Sequence, residues 1–262
     1  SGCRIMSRKL IFLDVDGTLV DFTMHMPESA REALSIARKR GHLISLCTGR
    51  TVTNVYPWLL EFGFDAIVAS AGAYVSANDK VIYHSVLAND KVQDMVEVLK
   101  EHGACFMLQG INGRYVDEEN AKKMRERCMR LGLDIDGALN GLTLVEHPEQ
   151  MPALESGMYF DADIKITGAS FGKDRQMSGE MTKMGVNKAT GMQRLMDELK
   201  IGREDTIAFG DGPNDVEMLQ FAGTGVAMGN AIPAVKQYAD MVTDKIDEDG
   251  LYHAFERLHL LG

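Results

Sequence analysis

A chain of 262 residues is long enough for one large domain or two small ones, and its 45% hydrophobic and 25% charged residues are ordinary for a globular protein. The net charge of −10 argues against binding to nucleic acid, whose protein partners carry positive charge at least locally. No apolar run approaches the roughly 18 residues of a membrane-spanning helix, and the four cysteines show no paired spacing typical of a zinc site or a disulfide framework. We therefore expect a cytoplasmic protein without a membrane or nucleic-acid partner.

The first third of the chain alternates between two patterns. Continuous apolar runs predict buried strands, and amphipathic stretches predict helices. The strands are placed at 9–14, 42–47 and 65–70, and the helices at 27–41 and 51–63. Pro57 should kink or interrupt the second helix, because proline cannot donate a helical hydrogen bond. A hairpin with Asn78 and Asp79 at its turn ends this part of the chain at 84.

The middle of the chain mixes helices and strands differently, and this mixture is typical of a small α+β unit. Helices are predicted at 89–103 and 118–132, and strands at 104–110 and 113–117. Two prolines, Pro148 and Pro152, and several glycines predict a loop over 137–157. Further strands are predicted within 157–183.

The alternating pattern returns after Val186. Asn187 is a plausible N-cap for a helix over 187–202, with Gly202 past its end. Strands and helices then alternate, with strands predicted at 205–211, 223–229 and 240–244 and helices at 213–223 and 231–239. The sequence therefore predicts an α/β fold with a doubly wound parallel sheet, interrupted by an α+β insertion.

Polar residues follow three of the apolar strands, in the segments FLDVDGT, LCTGR and AFGDGPND. Ligands of open parallel sheets bind beyond the carboxyl ends of the strands. If these strands are neighbours, six side chains meet there: Asp14, Asp16, Thr48, Arg50, Asp211 and Asp215. A single aspartate after a strand more often begins a turn or caps a helix. Four carboxylates at one sheet edge repel each other, however, unless a cation lies among them, and Mg²⁺ prefers such oxygen ligands.

Two further features point to an anion at the same edge. Lys188 falls in the first turn of its helix, where a cation opposes the helix dipole. It is either a solvated surface lysine or part of a phosphate site at the helix N-terminus. Thr48, Gly49 and Arg50 offer a hydroxyl, a permissive backbone and a cation, although Thr48 could equally be an ordinary turn residue.

These residues predict phosphoryl transfer. The carboxylate of Asp14 could attack phosphorus as a nucleophile. Asp16 could protonate the leaving oxygen and then deprotonate the attacking water. Mg²⁺ and Lys188 would position the phosphoryl group and neutralise its charge.

Four motifs in this order resemble the haloacid dehalogenase (HAD) superfamily of phosphatases: DVDGTLV, LCTGR, GVNKATGMQRL and FGDGPNDVEML. The C-terminal stretch GVAMGNAIPAVKQYADMVTDKIDEDG is similar to the Cof-like branch of that superfamily. The resemblance implies a Rossmann-like core domain formed by 1–84 and 183–262, with an α/β cap domain inserted at 85–182. The cap would close over the site, exclude water and select the leaving group.

The resemblance also assigns roles to individual residues. Asp14 would be the nucleophile, and Asp16 the general acid and base whose backbone carbonyl also reaches the metal. Thr48 would bind the transferring phosphoryl group, and Lys188 would hold the phosphate and steady Asp14. The implied Mg²⁺ set is Asp14, Asp16, Asp211 and Asp215, with Asp215 acting through water. The implied phosphate or substrate set is Gly17, Thr48, Gly49, Arg50, Lys188 and Asn214.

The substrate is expected to be a small phosphorylated metabolite, with a hexose or related sugar phosphate as the first choice. Segment 140–185 matches no family motif. Six polar residues in or near this segment could contact the substrate, and each could equally be a solvated residue on the cap surface: Arg114, Glu155, Lys165, Lys173, Asp174 and Arg175. No heptad pattern or large apolar stripe is evident, so a monomer is expected.

Three other functions remain open. A phosphomutase or other phosphotransferase would use the same aspartyl-phosphate but return the phosphoryl group to an acceptor. A non-catalytic regulatory protein would only bind a phosphorylated ligand. The DVD segment could instead be the metal-binding motif of a nucleotide-sugar transferase, although this leaves Lys188 and the GDGPND segment unexplained.

Overall fold

The computed structural model describes residues 7–162, 164 and 178–262. Thirteen strands are found within them: β1 (Leu10–Leu13), β2 (Leu43–Cys47), β3 (Ala66–Ala69), β4 (Tyr74–Ala77), β5 (Lys80–His84), β6 (Cys105–Gly110), β7 (Gly113–Val116), β8 (Leu142–Leu144), β9 (Leu154–Phe160), β10 (Gly179–Thr182), β11 (Thr206–Gly210), β12 (Thr224–Ala227) and β13 (Met241–Val242). The α-helices of the same part of the chain are α1 (Glu28–Lys39), α2 (Pro57–Phe62), α3 (Asn89–Glu101), α4 (Glu118–Leu131), α5 (Ile135–Leu139), α6 (Lys188–Leu199), α7 (Val216–Phe221), α8 (Pro233–Lys236) and α9 (Gly250–Arg257).

The larger sheet has eight strands in the order β13-β12-β11-β1-β2-β3-β4-β5. Strand β1 is central and pairs in parallel with both β11 and β2, so that Leu10 lies opposite Thr206 and Leu43. Only the hairpin strands β4 and β5 run antiparallel to their neighbours. The carboxyl ends of β1, β2 and β11 therefore meet at one edge, which confirms that these three strands are neighbours.

Both faces of β1 are buried, because helices cover the sheet on its two sides. Ile11 and Leu13 pack with residues of α1 and α9 on one face. Leu10 and Phe12 pack with residues of α6 and α7 on the other. This explains the continuous apolar run in β1, and the α/β, doubly wound prediction is confirmed.

A smaller sheet of five strands, in the order β10-β9-β6-β7-β8, is formed between the two passages of the chain through the larger sheet. Helix α3 packs on one face through residues such as Leu99, which contacts the side of β6 carrying Phe106 and Leu108. Helix α4 contributes Met124 to a second cluster on the face carrying Met107. The chain leaves the larger sheet after β5 and returns after β10, and the cap boundaries at 84/85 and 182/183 stay a prediction.

One local prediction was wrong, and two others are confirmed in more detail. Segment 137–157 is not simply loop, since it contains α5, β8 and the start of β9. The short strand β8 is held by pairing with β7, a long-range contact that composition does not reveal. The predicted interruption at Pro57 is confirmed, since Pro57 begins α2, where its missing N–H costs nothing, after a separate 3₁₀ turn at Val52–Asn54. Helix α6 has the predicted N-cap Asn187 and ends at Leu199, where Lys200 adopts a left-handed conformation, so that Gly202 lies past its end as predicted.

No helix among the described residues is long and apolar enough to cross a membrane. The C-terminal helix α9 was not predicted, although its residues Leu251, Ala254 and Phe255 are fully or almost fully buried against the larger sheet. It covers the same face as α1 and completes that layer.

Candidate active site

Three predicted aspartates meet at the carboxyl edge of the larger sheet. Asp14 follows β1 directly and stays in the sheet's register, since its N–H donates to the carbonyl of Phe209 at 3.1 Å. Asp211 follows β11, and Asp215 ends the short 3₁₀ turn beyond it. One carboxylate oxygen from each of Asp14, Asp211 and Asp215 lies within 4.8 Å of the other two.

Lys188 is buried at the centre of these carboxylates. It is the first residue of α6, whose N-cap Asn187 accepts from the N–H of Thr190 at 2.9 Å in a capping box. Its Nζ donates to Asp215 Oδ1 at 2.6 Å and to Asp14 Oδ1 at 3.1 Å. With 2% of its surface exposed, Lys188 is not the solvated surface lysine that was one of its two alternatives.

Asp215 holds the loop that carries Asp211. Its Oδ2 accepts from the backbone N–H groups of Asp211 and Gly212, each at 3.0 Å, while its Oδ1 accepts from Lys188. Both oxygens are thus already in use. This agrees with an indirect part for Asp215 in a metal site, with Asp14 and Asp211 as the more available carboxylates.

The carboxylates carry more negative charge than Lys188 balances. Burial, followed by the charge of Asp215, raises the pKa of Asp14 well above its usual value, against the opposing effect of Lys188. Burial and Asp215 likewise raise the pKa of Asp211 to about 7. Burial lowers the pKa of Lys188, but the charges of Asp14 and Asp215 outweigh it, and the net pKa is raised. The pKa of a carboxyl group rises in this way when like charges are crowded and only partly neutralised.

The donor set fits a hard divalent cation. All three groups are carboxylates, their oxygens are close enough to share one ion, and the site lies at the floor of an open cavity. Mg²⁺ takes one or two protein carboxylates and keeps positions for water and phosphate.

Asp16 lies outside this cluster, in an ion pair with Arg50. The guanidinium of Arg50 donates from Nε to Asp16 Oδ2 at 2.6 Å and from Nη2 to Oδ1 at 2.9 Å. Tyr56 adds a hydroxyl contact to Asp16 Oδ1 at 3.3 Å, and its ring centroid lies 4.6 Å from the guanidinium of Arg50. The structure thus brings Arg50 to Asp16, and both residues line the cavity. The predicted contact of Arg50 with phosphate stays a prediction.

The loop after β1 passes very close to Asp211. Gly17 has a φ of +82°, and a Cβ there would overlap the carboxylate of Asp211, so both conformation and space call for glycine. The next residue, Thr18, donates through Oγ1 to Asp211 Oδ1 at 3.0 Å. Asn230 donates to the carbonyl of Gly17 at 2.9 Å. Neither Thr18 nor Asn230 was predicted as a site residue, although both lie within the quoted motifs.

Thr48 and Gly49 directly follow β2 and line the same cavity as Asp14 and Asp211. Thr48 is buried, and its Oγ1 accepts from the N–H of Arg50 at 3.0 Å. This contact is the one expected if Thr48 is an ordinary turn residue, the alternative to a phosphate contact. A Cβ at Gly49 would overlap the carboxylate of Glu180, which arrives from β10 of the smaller sheet. Glu180 was missed because no pattern in its surroundings predicts a contact with the strand tips.

A cavity of about 840 Å³ separates the strand tips from the smaller sheet. The larger sheet contributes polar groups including Asp14, Thr48 and Asn214, and the smaller sheet contributes residues such as Arg114, Phe160 and Glu180. Arg114 donates to the carbonyl of Asn140 at 2.7 Å.

One other predicted polar candidate, Glu155, does not line this cavity. Glu155 is buried elsewhere, with Oε2 3.2 Å from Nε2 of His84. The remaining four, Lys165, Lys173, Asp174 and Arg175, lie outside the described residues.

Residues 11–255 match the family model of the haloacid dehalogenase-like hydrolases. The chain belongs to this family. Within the HAD superfamily it is a phosphatase of the Cof-like branch, as the four motifs indicated.

Relatives named as phosphatases match nearly the whole chain. The chain is 31% identical over 98% of its length to the putative phosphatase YkrA of Bacillus subtilis, all of which is covered. It is also 31% identical to the B. subtilis 5-amino-6-(5-phospho-D-ribitylamino)uracil phosphatase YitU, over 92% of this chain and 94% of the relative. The solved structure of the HAD subclass IIB sugar phosphatase BT4131 has a TM-score of 0.77 and 28% identity, over 96% of this chain and 99% of that one.

Proposed function

We propose that this HAD phosphatase hydrolyses a small phosphomonoester with Mg²⁺, through an aspartyl-phosphate on Asp14. The observation that carries the proposal is the buried contact of Lys188 with Asp14 and Asp215, next to Asp211 at the edge of β1. The proposed nucleophile Asp14 and the carboxylate of Asp211 thereby line one cavity, with Lys188 buried against Asp14.

The reaction would run in two displacements. An oxygen of Asp14 attacks phosphorus, the bond from phosphorus to the leaving oxygen breaks, and Asp16 gives that oxygen a proton. Water then attacks phosphorus, Asp16 takes its proton, and the bond to Asp14 breaks to release inorganic phosphate. Asp16 has to exchange its contact with Arg50 for the leaving oxygen before it can act.

The other predicted residues hold the phosphoryl group. Lys188 balances its charge and keeps Asp14 oriented, while Thr48, the backbone of Gly49 and Asn214 bind its oxygens. Mg²⁺, held by Asp14, Asp211 and the carbonyl of Asp16, with Asp215 in support, would neutralise the charge of the phosphoryl group. This proposal requires one metal ion, in contrast to phosphatases that use two.

The substrate is proposed to be a sugar phosphate or a similar metabolite. Named relatives act on a phosphoribitylamino-uracil and on sugar phosphates, and a cavity of about 840 Å³ has room for such leaving groups. Segment 85–182 is proposed as the cap that selects them. We further propose a monomer in the cytoplasm, where buried free thiols such as Cys47 and Cys105 stay reduced.

The experiment is phosphate release from a panel of sugar, nucleotide and cofactor monophosphates. We expect release with Mg²⁺, and loss of at least about a thousandfold with a chelator or with Asp14→Asn. Asp197→Asn, an exposed site on α6, is the control and should leave the rate unchanged. Near-normal turnover of Asp14→Asn would overturn the mechanism. Release of less phosphate than substrate consumed would favour a mutase.

A further inference from the structure

Glu180 is an acidic side chain that the proposed mechanism does not use. It lies on β10 opposite Met158 of β9, in the smaller sheet, yet its carboxylate reaches the strand tips of the larger one. The missing side chain at Gly49 leaves the space that the carboxylate occupies. The side chain of Asn214 hydrogen-bonds the same carboxylate.

Glu180 therefore borders the place proposed for the phosphoryl group. Burial raises the pKa of Glu180, while the charge of Lys188 lowers it and that of Asp215 raises it. Glu180 is not part of the close group of Asp14, Asp211 and Asp215, and metal binding does not account for it. A carboxylate beside a phosphate dianion is repelled unless hydrogen-bond donors compensate.

Glu180 lines the cavity that the leaving group of a substrate would occupy. The phosphoryl group would lie at the strand tips, and the rest of the substrate would extend towards the smaller sheet, on whose side Glu180 lines the cavity. A desolvated acceptor that meets no donor weakens binding, whereas one that meets a hydroxyl gains a charge-assisted hydrogen bond. Sites built around such a bond discriminate strongly against analogues that lack the hydroxyl.

We propose that Glu180 determines specificity by accepting a hydrogen bond from a substrate hydroxyl near the phosphoester. The protein would then select phosphorylated polyols and sugars over alkyl phosphates of the same length. This inference rests on the proposed function, because it requires a phosphate at the tips of β1 and β2.

The test compares sorbitol 6-phosphate with hexyl phosphate, which share chain length and phosphate but differ in hydroxyl groups. For Glu180→Gln and Glu180→Ala, kcat/KM is measured by phosphate release. The dissociation constants are measured by calorimetry with Asp14→Asn added. We expect the preference for sorbitol 6-phosphate to fall about tenfold or more in Glu180→Ala. The fall should be smaller in Glu180→Gln, which keeps a neutral acceptor, and hexyl phosphate should bind as well or better.

Glu155→Gln is the matched control, since Glu155 is a buried acid of the same sheet that does not line the cavity. It should leave the preference unchanged. Equal changes for both ligands in Glu180→Ala would overturn the inference, because a residue that only links the sheets or only repels phosphate acts on both alike. The inference would also be overturned if the unaltered protein showed no preference for sorbitol 6-phosphate over hexyl phosphate. That result would leave the proposed function in place. Asp14-independent hydrolysis would instead remove the proposed function.

Discussion

At the scale of single residues, the site is organised by one buried cation. Lys188 contacts two carboxylates and is almost fully buried, which is costly for a charged group unless its partners compensate. Asp14 and Asp215 supply that compensation. Together with Asp211, however, they carry more negative charge than the single positive charge of Lys188 balances. The residue that contacts the proposed nucleophile is therefore also the one whose loss leaves uncompensated buried charge.

We expect Lys188→Met to abolish phosphate release and to lower the free energy of unfolding by about 3 kcal/mol without divalent metal, because buried carboxylates lose their partner. Urea unfolding followed through Trp58, the single tryptophan, measures the change. Lys183→Met, at an exposed position, should leave the midpoint in place. An unchanged midpoint for Lys188→Met would contradict this account of the site.

Glu155 predicts a pH dependence of stability. Burial raises its pKa, against the opposing effects of His84 and Ser70, so the folded protein binds its proton more tightly than the unfolded chain does. Its contribution to stability is present below the unfolded pKa and is lost as the pH rises through the folded one. Glu155→Gln should therefore raise the free energy of unfolding by about 1 kcal/mol at about pH 8, with a smaller gain at about pH 4.5.

Paired urea titrations of the unaltered protein and Glu155→Gln across that pH range provide the measurement. The difference between the two isolates Glu155 from the other carboxylates. A gain that grows towards acid would contradict the raised pKa.

At the scale of elements, the site depends on how α6 docks. The segment after β3 passes under the N-terminus of α6, and Gly72 there has a φ of +100°. A Cβ on Gly72 would overlap the backbone carbonyl of Asn187, the N-cap of α6. Close backbone packing at this point sets where the helix begins, and hence where Lys188 enters the site.

Gly72→Ala should lower the free energy of unfolding by about 3 kcal/mol, since it adds steric overlap to an unfavourable conformation. Gly103→Ala is a matched control. Gly103 also has a positive φ, of +65°, but a Cβ there meets nothing within 4 Å. Its cost should be about 1 kcal/mol, from conformation alone. Thermal unfolding of both variants measures the difference, and equal losses would show that the overlap at Gly72 is relieved without cost.

At the scale of the whole molecule, two sheets share one cavity. The larger sheet brings the reactive groups, and the smaller sheet brings Arg114, Phe160 and Glu180 over them. Under the proposed function, chemistry and selectivity would come from separate parts of the fold, so that one could change without the other. The proposed metal binds only the larger sheet.

Mg²⁺ should stabilise the protein because it binds the folded carboxylate set and not the unfolded chain. About 10 mM Mg²⁺ is expected to raise the unfolding midpoint by about 3 °C, if its dissociation constant is near 1 mM. Differential scanning fluorimetry against NaCl of equal ionic strength gives the measurement. Asp211→Asn should remove most of the shift, and a shift of the same size in that variant would place the ion elsewhere.

The alternation of strands and helices could be predicted because it depends on local periodicity. Strand β1 and helix α1 carry their burial pattern in consecutive residues. Strand β8 could not be predicted, because three residues at an edge become a strand only through pairing with β7. Helix α9 was missed for a related reason, since its burial becomes evident only when the sheet face that it covers is known.

The sequence by itself determined the order of elements, the polar strand tips and the family, because turn residues and motifs act over short stretches of chain. Only the tertiary structure decided that Lys188 is buried between Asp14 and Asp215, that Arg50 pairs with Asp16, and that Glu180 reaches Gly49. Those contacts join segments far apart in the chain, and their partners are chosen by how helices and sheets dock. Docking depends on the shapes of many packed side chains at once, which no local pattern encodes.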